Sequence, residues 1–180
     1  MGPMVDSTCR HGRPCLLGSQ LFMKIDFDTF KRSYLVVGLS EPDIKKVMDL
    51  ATVGEVKNGH EIVKLGTREP DIYIILSGIC KVVRKGGALL GTCGVGSVIG
   101  EVALLDDQPR SASVVAKGPV TYAYIDGRVL RKFMNQNREI GFVMLANLAR
   151  LLAMRLRDAS ESIEDLRGQV SDLWLYKGEL

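Results

Sequence analysis

The chain has 180 residues, 46% of them hydrophobic and 25% charged, enough for one domain with its own core and short additions at the ends. Its net charge is only +3, with Lys and Arg interleaved with acids, which argues against a DNA-binding face built of clustered cations. No run approaches the roughly 20 apolar residues that cross a bilayer, and the first residues lack the basic-then-apolar order of a secretory signal. A cytoplasmic protein without membrane contact is therefore expected.

Residues 1–20 have no hydrophobic period and are expected to be a disordered leader, or partly a start-site artefact. Cys9, His11 and Cys15 within it lack the further ligands that a metal site needs. In 24–35, Ile25, Phe27, Phe30, Tyr34 and Leu35 fit a short amphipathic helix. A second helix opens at Ser40, with Pro42 in its first turn and Asp43 three residues on. Ile44, Val47, Met48 and Leu50 form its apolar face.

After Ala51 the period changes to two. Short β-rich runs at 55–57, 60–64, 71–76, 79–84, 88–90, 113–116 and 120–125 are punctuated by Asn58-Gly59, Gly66, Ser77-Gly78, Gly86-Gly87 and Gly118-Pro119, which read as turns between strands. The expected fold is mainly β, a jelly-roll barrel of about eight short strands flanked by N-terminal helices and a long C-terminal helix. Cys80 and Cys93 read as ordinary small residues. From Asp126 the helical period returns, first in a short helix with Val129, Leu130 and Phe133. A long helix follows, with Ile140, Met144, Leu148, Leu151, Leu152, Arg155, Leu156, Ile163 and Leu166 at spacings of three and four. The boundaries expected are 1–20 for the leader, 21–135 for the β-rich domain with its helices, 136–168 for the long helix and 169–180 for a tail.

The segment from Gly96 to Val114 carries the chemistry. Gly100-Glu101 opens a short helix through Val102, Ala103 and Leu104, and Arg110 follows nine residues after the Glu, backed by Ser111, Ala112 and Ser113. A helix start offers unpaired N–H groups and a positive dipole end to an anion. Gly100 permits close backbone approach, and the Arg110 guanidinium can fork onto two phosphate oxygens. Glu101 is out of place beside a phosphate unless it has a donor of its own, and a ribose hydroxyl is one.

These residues resemble the phosphate-binding cassette of the cyclic-nucleotide-binding domain family, whose members include the catabolite activator protein and regulatory subunits of cyclic-AMP-dependent protein kinase. The similarity covers roughly residues 39–160 and rests on Gly-Glu-x-Ala-Leu followed at the right distance by Pro-Arg-x-Ala-Ser. It departs from the family at Gly96-Ser97, where Gly-Asp is frequent. The resemblance implies a cyclic nucleotide ligand, cyclic AMP before cyclic GMP. Glu101 would accept the ribose 2′-hydroxyl and Arg110 would pair with the phosphate. The N–H groups of Val102, Ala103 and Ser111 would complete the cradle, shaped by Gly100 and the small residues Ala112 and Ser113. Arg155 would cover the base from the long helix.

A metal-dependent barrel enzyme is disfavoured, because only His11 and His60 are present and His60 alternates out of phase with Glu61. No nucleophile–base pair is assembled either, so no enzyme and no cofactor is expected. A helix-turn-helix needs more than the twelve residues after Gly168, which leaves no DNA binding by this chain alone. The expected protein is a regulatory sensor that acts on an unidentified effector. It is expected to form a homodimer through the 140–163 stripe, which a charge at Leu148 or Leu152 would split. The alternatives are a ligand-free dimerisation module of the same fold, or a fragment of a transcription regulator or channel.

Overall fold

The computed structural model describes the backbone of residues 25–177 and side chains as far as 167. The expected leader, with Cys9, His11 and Cys15, lies outside the described residues. Helix α1 (Phe27–Lys31) is capped by Asp26, whose carboxylate accepts from the Thr29 N–H. It ends sooner than the 24–35 pattern suggested. Turn bonds from Ser33 to Phe30 and from Val36 to Ser33 replace helical ones, yet still bury Leu35 and Val36. Helix α2 (Glu41–Met48) starts where expected, with Ser40 accepting from the Asp43 N–H.

Six strands follow in one antiparallel sheet: β1 (Thr52–Val56), β2 (Glu61–Val63), β3 (Ile72–Val83), β4 (Leu89–Cys93), β5 (Val98–Ile99) and β6 (Ser113–Ile125). Long strands β3 and β6 pair along most of their length. The outer edge of β6 takes β1 and β2, and that of β3 takes β4 and β5. Among the described residues no pairing joins those two outer edges, so the expected closed barrel of about eight strands is replaced by a six-stranded sheet with flanking helices.

The count falls because Ser77-Gly78 and Gly118-Pro119 do not turn the chain. They lie opposite each other inside β3 and β6, where the register shifts between Ile75, Ser77 and Ile79. Gly78 has φ +85°, a conformation that bends a strand through a bulge as readily as it closes a hairpin. The two long strands bend together there, and each absorbs two predicted runs.

Alternation along these strands sorts the core into two faces. Ile72, Ile74, Ala123 and Ile125 pack against the helices with Phe30, Ile44 and Val47. Tyr73, Ile75, Val120 and Tyr122 point to the other face, where they meet Ile62, Cys80, Cys93 and Ile99.

Helix α4 (Gly127–Gln136), capped by the Asp126 carboxylate, is followed directly by the 40-residue α5 (Arg138–Lys177). At about 1.5 Å per residue α5 is roughly 60 Å long, and it runs through Gly168, where the pattern was expected to end. Ile140, Met144, Leu148 and Leu151 belong to the helical core. The Asn147 amide donates to the carbonyl of Val37 at 2.7 Å, tying α5 to the loop after α1. Much of the stripe assigned to a partner is thus spent inside the domain. No helix among the described residues is long and apolar enough to cross a membrane.

Leu148, 1% exposed, is a fold residue, so Leu148→Ala should cost about 2–5 kcal/mol of stability. Leu156→Ala, at a residue 69% exposed, should stay within about 0.5 kcal/mol of the parent when both are measured as monomers at high dilution. Chemical denaturation of the two variants checks both.

Candidate functional site

Between β5 and β6 the chain makes helix α3 (Glu101–Asp106), entered from Gly100 with φ +97°. A Cβ on Gly100 would overlap the Arg110 guanidinium and the Asp71 carbonyl, so glycine is required both by backbone conformation and by space. The first-turn N–H groups of α3, those of Glu101, Val102 and Ala103, have no helical acceptor four residues back. Glu101 is buried at 2% exposure and Ala103 is buried as well, whereas Val102 is exposed.

Arg110 is 4% exposed. Its backbone is pinned on both sides: its N–H donates to the Thr67 carbonyl and its carbonyl accepts from the Gly66 N–H, each at 2.9 Å. One guanidinium nitrogen, Nη2, donates to the Asp71 carbonyl, and the group stands over the Tyr73 ring, 5.8 Å from its centroid. Nε and Nη1 are buried without a hydrogen-bond partner. Burial pulls the Arg110 pKa below its ordinary value, opposed by the neighbouring Tyr73, Asp71 and Glu69. A buried cation with two idle donors is an anion-binding arrangement, because an incoming anion supplies both the acceptors and the counter-charge.

Glu101 and Arg155 form an ion pair, Arg155 Nη1 donating to Glu101 Oε1. Arg155 Nη2 donates to the Val98 carbonyl at 2.8 Å. The long helix is therefore fastened to the cassette from one turn beyond Leu151. Arg155, expected to lie over a base, spends its guanidinium on the cassette's carboxylate and on β5.

The structure thus gathers Gly100, Glu101, Arg110 and Arg155 around the start of α3. Ser111 is exposed and Ala112 half-buried just before β6. Ser113 is differently occupied: its Oγ accepts from the Leu65 N–H at 3.0 Å, so its hydroxyl ties β6 to the loop after β2. Asp71 and Tyr73 were missed by sequence reasoning. Asp71 supplies its carbonyl to Arg110 and its carboxylate to the Gly127 N–H. Both contacts join residues tens of positions apart, and the only local signal is that Asp71 opens an apolar strand run. A separate groove of 590 Å³ lies between α3, α4 and α5, lined by Leu104, Arg131, Met134 and Phe142 among others. It includes none of Glu101, Arg110 or Arg155.

Residues 53–137 match the family model described as the cyclic nucleotide-binding domain. A cAMP-dependent protein kinase regulatory subunit from Debaryomyces hansenii is 33% identical over 112 residues, which are 62% of this chain and 25% of the relative. Glutaminase 1 from Bradyrhizobium diazoefficiens is 30% identical over 132 residues, 73% of this chain and 21% of that protein. The chain thus spans about a quarter or less of these curated relatives. Among solved structures, a cyclic nucleotide-binding domain from Methylobacillus flagellatus superposes with a TM-score of 0.71 at 22% identity, over 77% of this chain and 83% of that one.

Because Gly100 touches both Arg110 and Asp71, Gly100→Ala should push the guanidinium off its carbonyl. A loss of about 1–3 kcal/mol in stability is expected, read as a lower midpoint in denaturant.

Proposed function

Since the chain belongs to the cyclic nucleotide-binding domain family, we propose that it is a sensor module whose site at Gly100–Arg110 binds a cyclic nucleotide, cyclic AMP in preference to cyclic GMP. The observation that carries this reading is the buried Arg110 guanidinium with Nε and Nη1 unpartnered, aimed at a helix start whose amides also lack helical acceptors. A cyclic phosphate would accept from Arg110 and from the N–H groups of Val102, Ala103 and Ser111. The Ser111 hydroxyl, exposed beside them, would reach the phosphate or a purine edge, and Ala112 keeps that approach open. Glu101 would accept the ribose 2′-hydroxyl. The preference for cyclic AMP is supported by the name of the kinase regulatory relative.

The ion pair with Glu101 gives the long helix a stake in that event. A ribose hydroxyl at Glu101 competes with Arg155 or joins it, and either outcome changes the contacts of α5 with the cassette. A ligand shifts a conformational balance only through such differential contacts. The output would go to an effector protein or to a further domain, with no catalytic step at this site.

A second reading, a dimerisation module that has lost its ligand, is favoured by the same ion pair, since Arg155 already satisfies the carboxylate. Titration with cyclic AMP separates the two. Binding must raise the thermal midpoint by mass action, and a flat midpoint at millimolar cyclic AMP would leave the second reading. Arg110→Ala should weaken binding by about 2–5 kcal/mol. The 2′-deoxy ligand should bind less tightly than the ribose form, a difference that Glu101→Ala removes.

The homodimer is proposed through what α5 leaves uncovered beyond Arg155, where Leu156, Ile163 and Leu166 are exposed. Ile163→Asp should then shift sedimentation from dimer to monomer and abolish the rise of the denaturation midpoint with protein concentration that a dimer imposes, while the monomer stays folded because no core residue is touched.

A further inference from the structure

Cys80 on β3 and Cys93 on β4 are direct cross-strand partners. Both thiols are buried in the core face that also holds Tyr73 and Tyr122, where each perturbs the titration of the other. Directly opposed residues of an antiparallel pair stand about 4.5 or 5.5 Å apart at Cα, inside the window of about 4.4–6.8 Å that a disulfide spans. Backbone register therefore puts the two Cα atoms within disulfide reach, and both side chains belong to the same core cluster. No role in nucleotide binding uses either residue.

We propose that Cys80 and Cys93 form a modification site, a dithiol that a hydroperoxide oxidises to a cross-strand disulfide. Cys93 is the attacking group. It keeps 9% exposure where Cys80 has none, so an oxidant reaches it first. The interaction with Cys80 holds the Cys93 thiol below its ordinary pKa against the opposing effect of burial, while the same interaction and burial push Cys80 up. Arg155 lies close enough to add its positive charge in favour of the Cys93 thiolate, against the smaller opposing effect of Glu101.

With hydrogen peroxide as oxidant, the Cys93 sulfur attacks one peroxide oxygen and the O–O bond breaks. The departing hydroxide takes the thiol proton as water and leaves a sulfenic acid. The Cys80 sulfur then attacks the Cys93 sulfur, the S–O bond breaks, and a second water leaves with the Cys80 proton. The two thiols lose two electrons in total, and the peroxide gains them as it becomes two waters. Because Cys80 already contacts Cys93, the second step needs no strand to move far, and it intercepts the sulfenic acid before further oxidation.

The test uses the full chain. It is treated with hydrogen peroxide, blocked with an alkylating agent under denaturing conditions, digested and mapped by mass spectrometry. The expected result is a Cys80–Cys93 linked peptide pair, lighter by two hydrogens than the reduced pair and restored by dithiothreitol. The same treatment in concentrated urea should lose that selectivity and spread linkage over Cys9 and Cys15, because the fold supplies the template. Recovery of both Cys80 and Cys93 as alkylated thiols would overturn the proposal, as would a Cys93 sulfinic acid without linkage. Preferential linkage of either residue to Cys9 or Cys15 in the folded chain would also overturn it. None of these outcomes depends on cyclic nucleotide binding, so the site stands or falls separately from the sensor reading.

Discussion

Burying a guanidinium costs several kcal/mol unless hydrogen bonds and counter-charge replace its water, and Arg110 receives only part of that replacement. One nitrogen has the Asp71 carbonyl and one face has the Tyr73 ring, but two nitrogens have nothing. The side chain stays where it is because its backbone is clamped between Gly66 and Thr67 and because Gly100 leaves it room. Those constraints reach across the fold. The loop after β2, the first residue before β3, the glycine before α3 and the turn before β6 must all be in register for one cation to sit in place. Stability is withheld at that point.

Two faces of one sheet then divide the labour. Ile72, Ile74, Ala123 and Ile125 fix the sheet to the helices, while the alternate residues Tyr73, Ile75 and Tyr122 build the side that carries Arg110 and the cysteine pair. A register slip of a single residue would exchange the faces. The bulges at Gly78 and opposite Pro119 matter for this reason, since they bend β3 and β6 together without losing the alternation at either end. Tyr73 shows the consequence. Desolvation raises its phenol well above the ordinary range, so it stays neutral and presents Arg110 with a ring face.

The sequence made legible what depends on local chemistry. Ser40 as a cap, the cassette's Gly-Glu start and the amphipathic period of the last third are each set by residues within a few positions, and the structure places helices at all three. Strand count was not legible in this way. A positive-φ glycine reads the same whether it closes a hairpin or bulges a strand, and only the partner strand decides between them. The same limit explains Asp71, which acts through contacts with Arg110 and Gly127, and Ser113, whose hydroxyl is committed to Leu65. The stripe on α5 was read correctly as apolar, but periodicity does not say which copy of a surface covers it. Ile140 to Leu151 are covered by their own domain.

That division of α5 is what makes the helix a plausible lever in physical terms. Its first part is held by a packed core and by Asn147 on the loop after α1. Among the described residues, 156–167 are exposed, and the junction between the two regimes falls at Arg155, the residue that grips Glu101 and Val98. Arg155 is itself partly exposed, so water can take over its guanidinium, but its release leaves a buried carboxylate uncompensated unless another donor replaces it. Glu101, by contrast, is buried and needs a donor at all times. The carboxylate can exchange Arg155 for a hydroxyl but cannot give up both. On the proposed reading, occupancy of the cassette and the hold on α5 at Arg155 would be linked through this one buried acceptor.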